Sequence, residues 1–227
     1  STKGFLPPRM TTSERDNITN PESGLMVYNT DLLCINFYNG HYWAFIGYDS
    51  TLCGLPFTDA RDGQIYSTVQ IGDQCWMADN LNATVYPNGD AIPNVTDNTA
   101  WGNLGDNNTD DAYCFYNNQP NSEYGALYTY AAAIADNWQR DNTAGQGICP
   151  DGWHLPTDDE WKVLEGTVDT QYPVGDPEWD NSGYRGHDAG THLKSTTGWN
   201  NGGNGDNSSG FTALPGGYHN IGVDSCW

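Results

Sequence analysis

Apolar and aromatic positions form two short runs on either side of a turn dipeptide in "LLCINFYNGHYWAFIGY". Asn39-Gly40 lies at the centre, and it suits a two-residue hairpin loop because both loop residues need a positive φ. The pattern therefore predicts a β-hairpin in which Phe37 pairs with Tyr42 and Ile35 pairs with Ala44.

The residues before this hairpin predict a short helix and a further strand. Thr11 followed by Glu14 has the spacing of a capping box, so a helix is expected to begin there. An apolar run over 25–28 reads as a strand. A unit of residues 1–47 is too small and too flat to bury a core alone. We expect it to pack on the next domain or on copies of itself.

A second hairpin is predicted in "GQIYSTVQIGDQCWMADNL". Apolar and polar positions alternate from Ile65 to Ile71, and Gly72-Asp73 supplies the turn. We take this hairpin as the start of a larger domain over residues 63–227. Residues 48–62 contain Gly, Pro and Asp between the two patterns, and this composition is typical of a linker.

The stretch "YGALYTYAAAIADNW" changes to a helical period. Its apolar positions at helical spacing predict one buried face, made of Leu127, Tyr130, Ala131, Ile134 and Trp138. Before it lies a polar tract over 82–121, which is long for a loop without structure. We expect Cys114 and Trp101 to tie that tract down.

The segment "CPDGWHLPTDDEW" predicts a second helix, from about 158 to 165. Thr157 stands at the cap position and Glu160 follows at the capping-box position. Trp161 is placed to pack back on Leu155 or Pro156. The histidine of the segment, His154, then lies in a turn between a strand and a capped helix.

The charge balance limits the classes of partner that the chain can bind. Eight Lys and Arg face 29 Asp and Glu, so the formal net charge is −21. Such a chain repels nucleic acid and anionic membranes, and no stretch is apolar enough for direct membrane insertion. Nine Trp and 14 Tyr argue against disorder despite the charge.

Cysteine usage indicates an oxidising compartment. No pair has CxxC spacing, so a zinc ribbon or thioredoxin-type motif is not expected. Six cysteines allow fifteen connectivities, and the sequence does not choose among them. Ser1 begins in mid-pattern, which favours a piece of a longer exported protein, located outside the cell or on its outer surface. The disulfide candidates are Cys34, Cys53, Cys75, Cys114, Cys149 and Cys226.

The opening phrases "GFLPPRMT" and "GLMVYNTD", with the following "YNG…W" hairpin, resemble a segment of Bacteroidetes surface proteins and phage-fibre-like proteins. In such proteins the segment precedes a terminal binding domain. The resemblance implies a homotrimer, or a larger assembly, formed through the N-terminal unit.

The order of the later motifs resembles the Fibrobacter succinogenes major paralogous domain. These motifs are "GQIYSTVQIGDQCWMADNL", "YGALYTYAAA", "CPDGWHLPTDDEW", "LKSTTGW" and "GFTALPGGY". The resemblance implies an α+β fold of the C-type-lectin-like class, related to the formylglycine-generating enzymes, with long disulfide-tied loops. Relatives usually continue past "GGY…W", so we expect the domain to be truncated at its C-terminus. The residues expected to serve the fold are Trp76, Trp153, Leu155, Thr157, Glu160, Trp161, Phe211 and Leu214.

No catalytic residue is predicted. His154 lacks a neighbouring nucleophile motif, so we interpret it as a scaffold histidine. His187 and His192 are interpreted as loop histidines, because Gly186 and Gly190 disfavour a helix there. Formylglycine-generating enzymes use a close cysteine pair that this chain does not contain. The alternative is an enzyme of that type completed by a tail beyond Trp227.

Calcium is the candidate cofactor. It prefers six to eight oxygen ligands, and three loops rich in Asp and Asn could supply them: "GDNNTDD", "GDPEWDNSG" and "NGGNGDNSSG". Ordinary turn chemistry uses the same residues, and the sequence leaves both readings open. The candidate ligands are Asp106, Asp110, Asp111, Asp176, Asp180 and Asp206.

We therefore predict a non-catalytic binding or adhesion module that contacts a glycan or a protein. The contact surface is expected on loops over 98–121 and 173–209, because loops on a rigid scaffold usually carry binding. Gln119-Pro120-Asn121 resembles the sugar-binding triplet of C-type lectins but precedes both helices. Trp199-Asn200-Asn201 is better placed but lacks the lectin acid.

Overall fold

The computed structural model describes residues 6–30, 34–38, 40, 43–46, 53–105, 107, 109–120, 123–136 and 145–218, and of Cys34, Ala44, Phe45 and Ile46 it describes the backbone alone. The chain divides into two compact units, residues 1–52 and 53–227. Within the described residues, no helix is long and apolar enough to cross a bilayer.

Among its described residues, the first unit has a four-stranded sheet and one short helix. The strands are β1 (Arg9–Met10), β2 (Met26–Asn29), β3 (Cys34–Tyr38) and β4 (Trp43–Ile46), in that spatial order. β1 is parallel to β2, and the other pairs are antiparallel. Helix α1 (Thr12–Asp16) begins with the predicted capping box, in which the Thr11 hydroxyl accepts from the Glu14 amide at 3.2 Å.

The first hairpin is present, but its predicted register is wrong. Phe37 pairs with Ala44 and Ile35 with Ile46, while Tyr42 lies outside the described residues. The connection therefore spans four residues instead of two. The longer loop places the Tyr38 ring 5.5 Å from the Trp43 ring in an edge-to-face contact, and aromatic cross-strand pairs stabilise a sheet. A shift of two residues keeps every side chain on its predicted face.

The second unit consists of small sheets joined by loops and short helices, which is an α+β arrangement. Its strands are β5 (Phe57–Thr58), β6 (Ile65–Tyr66), β7 (Thr68–Ile71), β8 (Gln74–Met77), β9 (Tyr113–Phe115) and β10 (Ala126–Tyr128). Its α-helices are α2 (Asn98–Gly102), α3 (Tyr130–Ile134), α4 (Asp158–Val168) and α5 (Ala189–Leu193). Two 3₁₀-helices cover Tyr116–Asn118 and Pro177–Asp180.

The second hairpin forms around Gly72-Asp73 as predicted, since Ile71 pairs with Gln74 in the β7–β8 ladder. Its first strand is shorter than expected, because β6 pairs with β5 instead. Strand β5 and the disulfide between Cys53 and Cys75 use residues 53–58, which were predicted as linker. Gly, Pro and Asp stand there in tight turns of the second unit.

The helix predicted over "YGALYTYAAAIADNW" is shorter than its pattern. Leu127 belongs to β10, which pairs with β9, and Thr129 then caps α3 by accepting from the Ala132 amide. The helix ends at Ala135, whose φ of 46° is left-handed. Trp138, predicted on the same helical face, lies outside the described residues. The start of α3 is set by the β9–β10 pairing and by the Thr129 cap. The spacing of apolar residues indicates neither of them.

Two apolar clusters form the core of the second unit. The first joins β9, α3 and Ile148, and its buried members are Ile92, Tyr113, Phe115, Ala132 and Ile148. The second lies between β7, α4 and α5, and its buried members are Ile71, Leu164 and Leu193. Both are small, so polar contacts and disulfides contribute much of the cohesion.

A buried ion pair links distant parts of this unit. Asp59 is 2% exposed, and its carboxylate accepts from Arg61 Nη2 at 2.6 Å and from Nε at 3.0 Å. Arg61 Nη1 also donates to the carbonyls of Val85 at 3.0 Å and Ile148 at 2.8 Å. Burial by itself raises the pKa of Asp59, but the Arg61 guanidinium outweighs that effect and holds the pKa below its usual value.

Of the two residues expected to tie down the polar tract over 82–121, Cys114 does so through a disulfide. Trp101 lies in α2, which Asp97 caps by accepting from the Ala100 amide at 2.8 Å. Cys114 lies in β9, is fully buried and is disulfide-bonded. Cys34 and Cys226 were also disulfide candidates, and the Cys34 side chain and all of Cys226 lie outside the described part of the chain.

Replacing Arg61→Met tests the ion pair. It leaves the Asp59 carboxylate and two carbonyls without their donor, so we expect a loss of about 3–5 kcal/mol in the free energy of unfolding. Urea unfolding followed by tryptophan fluorescence measures it. Lys162→Met is the control, because Lys162 pairs with carboxylates at the surface and its loss should change little. Equal effects of the two variants would contradict this role of Arg61.

Gly166→Ala tests the packing behind α4. A Cβ there would lie 2.8 Å from the Val174 backbone and 3.0 Å from Trp179 Nε1, so the helix must shift. This cost exceeds the gain from the higher helix propensity of alanine. We expect a loss of about 1–3 kcal/mol. Gly190→Ala in α5 is the matched control, since its Cβ meets only Lys194 Cε at 3.9 Å and propensity should stabilise by up to about 1 kcal/mol. A neutral Gly166→Ala in thermal unfolding would refute the close contact.

Candidate ligand-binding site

An open pocket of about 560 Å³ lies between the 3₁₀-helix after β9 and the last described loop. Three aromatic rings, one amide and a run of small and apolar residues line it: Tyr116, Tyr218, Trp199, Asn200, Leu214, Pro215, Gly216 and Gly217. No carboxylate is among these residues. A mostly apolar concavity with a few polar groups is the usual form of a ligand site.

Trp199 is held in place from two sides. Its indole Nε1 donates to the Ala213 carbonyl at 3.0 Å, and the Lys194 ammonium lies 5.4 Å from the ring centroid. The Trp199 amide donates to the Asn204 side chain at 2.9 Å. The ring is thus fixed in orientation before any ligand arrives.

The opposite wall is also supported by ring contacts. The Tyr116 ring lies 4.5 Å from the Tyr124 ring, and the neighbouring Asn117 has a φ of 49°. Tyr218 is 69% exposed at the mouth of the pocket. Rigid rings with one free face bind ligands at a low cost in conformational entropy.

The predicted contact regions supply part of this lining. Tyr116 falls within 98–121, and Trp199 and Asn200 fall within 173–209. Leu214, predicted to serve the fold, is half-buried and lines the pocket. The segment 215–218 was missed, because the motif "PGGY" has the composition of an ordinary turn.

His154 belongs to the cap of α4. Its Nε2 lies 2.8 Å from Glu160 Oε1, and Glu160 Oε2 accepts from the Thr157 amide at 2.8 Å. The Thr157 hydroxyl accepts from the Glu160 amide in turn, which completes a capping box. The arrangement places the imidazole against a structural carboxylate.

The other residues assigned to the fold pack through their rings. Trp153 stacks on Phe57 with centroids 5.0 Å apart. Trp76 lies 4.9 Å from Trp161 and 5.8 Å from Phe211, within the second cluster. Leu155 packs instead against the first cluster.

The interpretation of His192 as a loop histidine is wrong, because it lies in α5. Its Nδ1 lies 3.1 Å from Asp206 Oδ2 and 2.8 Å from Ser208 Oγ. A catalytic triad needs the serine on one ring nitrogen and the carboxylate on the other. Here the serine and the carboxylate both contact Nδ1. The other nitrogen, Nε2, lies 3.6 Å from Asp188 Oδ2, which is too far for a hydrogen bond. The cluster fastens α5 to the 206–208 loop.

The acids proposed for calcium have protein partners. Asp110 accepts from the Gly105 amide at 2.6 Å and from the Asn107 side chain at 2.8 Å. Asp180 pairs with Lys162 at 2.8 Å. These contacts are those of turns and surface ion pairs.

The remaining candidate ligands are spread over separate elements. Asp176 caps the 3₁₀-helix by accepting from the Glu178 amide at 2.9 Å. Asp111 is half-buried, and Asp106 lies outside the described residues. Across the ranges that the structure covers, no three His, Cys, Asp or Glu side chains are grouped to hold a metal ion.

The prediction of Cys149 as a disulfide candidate is wrong, because Cys149 is a free thiol in a buried position. Burial raises its pKa to about 11, and the Arg61 charge lowers it only in part. A reactive cysteine needs a lowered pKa and exposure. Cys149 therefore has neither property of a nucleophile.

His192 makes the stability of the unit depend on pH. The Asp206 hydrogen bond, and the charges of Asp206 and Asp188, raise the pKa of His192 above its unfolded value. The stabilisation is thus fully present below the unfolded pKa of about 6.5 and is lost as pH rises through the folded pKa. Urea midpoints of His192→Gln and the wild type should therefore converge as the pH rises from 5 to 8. A constant gap for His192→Gln would contradict this.

Comparison with known families gives two matches. Residues 69–225 match the family model described as the Fibrobacter succinogenes major domain, and residues 1–58 match the one described as a phage tail like trimerisation region. No curated protein and no solved structure matches significantly. The first match spans more than half of the 227 residues. The chain therefore belongs to the Fibrobacter succinogenes major domain family.

Proposed function

We propose that this chain is a non-catalytic binding module of an exported, surface-associated bacterial protein, and that its ligand is a glycan. The observation that carries the proposal is the pocket lined by the rings of Tyr116, Trp199 and Tyr218 together with the Asn200 amide. The apolar faces of sugar rings stack on aromatic side chains, and amides bond their hydroxyls.

The charge of the chain restricts the kind of glycan. A protein of net charge −21 repels anionic ligands at long range. Lys194 is the cation beside the pocket, and its ammonium lies on the Trp199 ring. A neutral sugar is therefore favoured over a sulfated or uronic-acid polymer. Without a carboxylate in the lining, binding needs no calcium at this pocket.

We take the second unit to have a C-type-lectin-like fold, supported by its α+β composition and its family. Calcium bound elsewhere on the chain is a separate proposal, which terbium luminescence with and without excess calcium would test. A homotrimer, or a larger assembly, through the first unit is supported by the match to the trimerisation model over residues 1–58.

A formylglycine-generating activity is the alternative, and a protein ligand is the second alternative at the pocket. No observation on the described residues favours an enzyme, and the raised pKa of Cys149 opposes a reactive thiol there. An adhesion role fits a loop-borne pocket on a small scaffold.

Tyr218→Ala tests the pocket. Screening the full chain against a glycan array and titrating the best neutral sugar should show binding that persists in EDTA. The variant should bind about tenfold to hundredfold more weakly, as when an aromatic anchor is lost. Tyr184→Ala is the matched control, because Tyr184 is 107% exposed and lies outside the pocket. Equal binding by both variants, or binding only of a protein on a parallel protein array, would reject the glycan proposal.

A further inference from the structure

The two faces of the first unit's sheet differ in what covers them. Side chains alternate along a strand, so Val27 and Asn29 of β2 share one face, and Met26 and Tyr28 share the other. Val27 and Asn29 are buried, whereas Met26 and Tyr28 are half-buried.

The first face is closed by α1 and is satisfied internally. Arg15 is buried and donates to the Asn36 side chain at 2.7 Å, and Asn29 donates to the same oxygen at 3.1 Å. Asn29 also donates to the Thr12 hydroxyl at 3.0 Å. A buried polar network with paired members leaves no room for a second molecule.

The opposite face is apolar. Met26 pairs with Phe37 and Tyr28 with Ile35 across β2 and β3, so these four side chains form a continuous patch. All four are half-buried. Arg9 is the charged neighbour on β1, and its guanidinium lies over the Tyr28 ring at 4.5 Å. Small soluble units do not leave such a face in water.

Charge shows which partner fits this face. Residues 1–52 contain three Lys and Arg and five Asp and Glu, so they carry about −2 of the formal −21. Residues 53–227 carry the remainder, and copies of that unit repel each other. The first unit is the near-neutral part of the chain on which copies can meet.

We infer that three copies of this chain associate by burying the patch of Met26, Tyr28, Ile35 and Phe37 against one another. The inference rests on the proposed assembly through the first unit and names its surface. Apolar area removed from water stabilises the contact, and the polar network under α1 fixes the sheet that presents the patch.

Phe37→Glu tests this surface in the full chain by sedimentation velocity over a range of concentrations. The wild type should sediment as a trimer, and the variant should associate about thirtyfold or more weakly, as when a central interface residue is lost. Thr19→Glu is the matched control, because it adds the same charge at an exposed position off the sheet and should remain trimeric.

A second measurement covers a Phe37→Glu variant that fails to fold. Ile35→p-benzoylphenylalanine keeps an apolar ring on the patch and should yield covalent dimers and trimers on illumination, while the same group at Thr19 should not. A monomeric wild type would overturn the assembly itself. A trimer that tolerates Phe37→Glu, or cross-links that stay within one chain, would overturn the surface. Neither result affects glycan binding, which depends on Tyr218.

Discussion

The Asp59–Arg61 ion pair is the constraint on which the second unit depends. The sheets of this unit have two strands each, and a two-stranded sheet is marginal in water. Arg61 connects β5 and β6 to Val85 and to Ile148, which is 87 residues further along the chain. The five N–H donors of the guanidinium allow this. Nε and Nη2 donate to the Asp59 carboxylate, and Nη1 donates to the two carbonyls. One side chain thus donates to two backbone carbonyls from separate parts of the chain.

A charged side chain also satisfies several backbone groups behind α4. The Asp169 carboxylate accepts from five backbone amides, those of Gln171, Tyr172, His187, Asp188 and Ala189. Burial alone raises the pKa of Asp169, but these amides outweigh burial and lower it. Asp188 in turn accepts from the Thr170 amide at 2.8 Å. The abundant Asp and Asn of the chain therefore serve as internal acceptors, which explains why an acidic, loop-rich sequence is ordered.

Local signals in the sequence predicted local structure well. The capping boxes at Thr11 and Thr157 and the turn at Gly72-Asp73 involve residues at most three apart, and all three are present. The first hairpin's register failed because Tyr38 and Trp43 select a longer loop than the dipeptide indicates. The spacing of apolar residues does not show whether a segment pairs with another strand. Residues 126–128 were therefore predicted as helix, although they form β10.

The pocket was less predictable than the scaffold. Its walls come from Tyr116 and from 199–218, which are brought together only by long-range contacts such as the one from the Trp199 indole to Ala213. Trp199-Asn200 carried a visible signal, since an aromatic beside an amide in a polar loop is typical of a contact surface. Nothing in "PGGY" marked Tyr218, because a tyrosine after two glycines fits any exposed turn.

The net charge is distributed unevenly between the two units, and this affects how an assembly of copies would bind a ligand. If copies associate through the near-neutral first unit, the acidic second units are held close together and repel one another. Repulsion at separations near the Debye length of about 8 Å favours arrangements in which they spread apart. In such an assembly several pockets would be presented together, and linked sites would bind a polyvalent glycan more tightly than any single pocket does. Under the proposed function, weak stacking in each pocket would then be sufficient for adhesion.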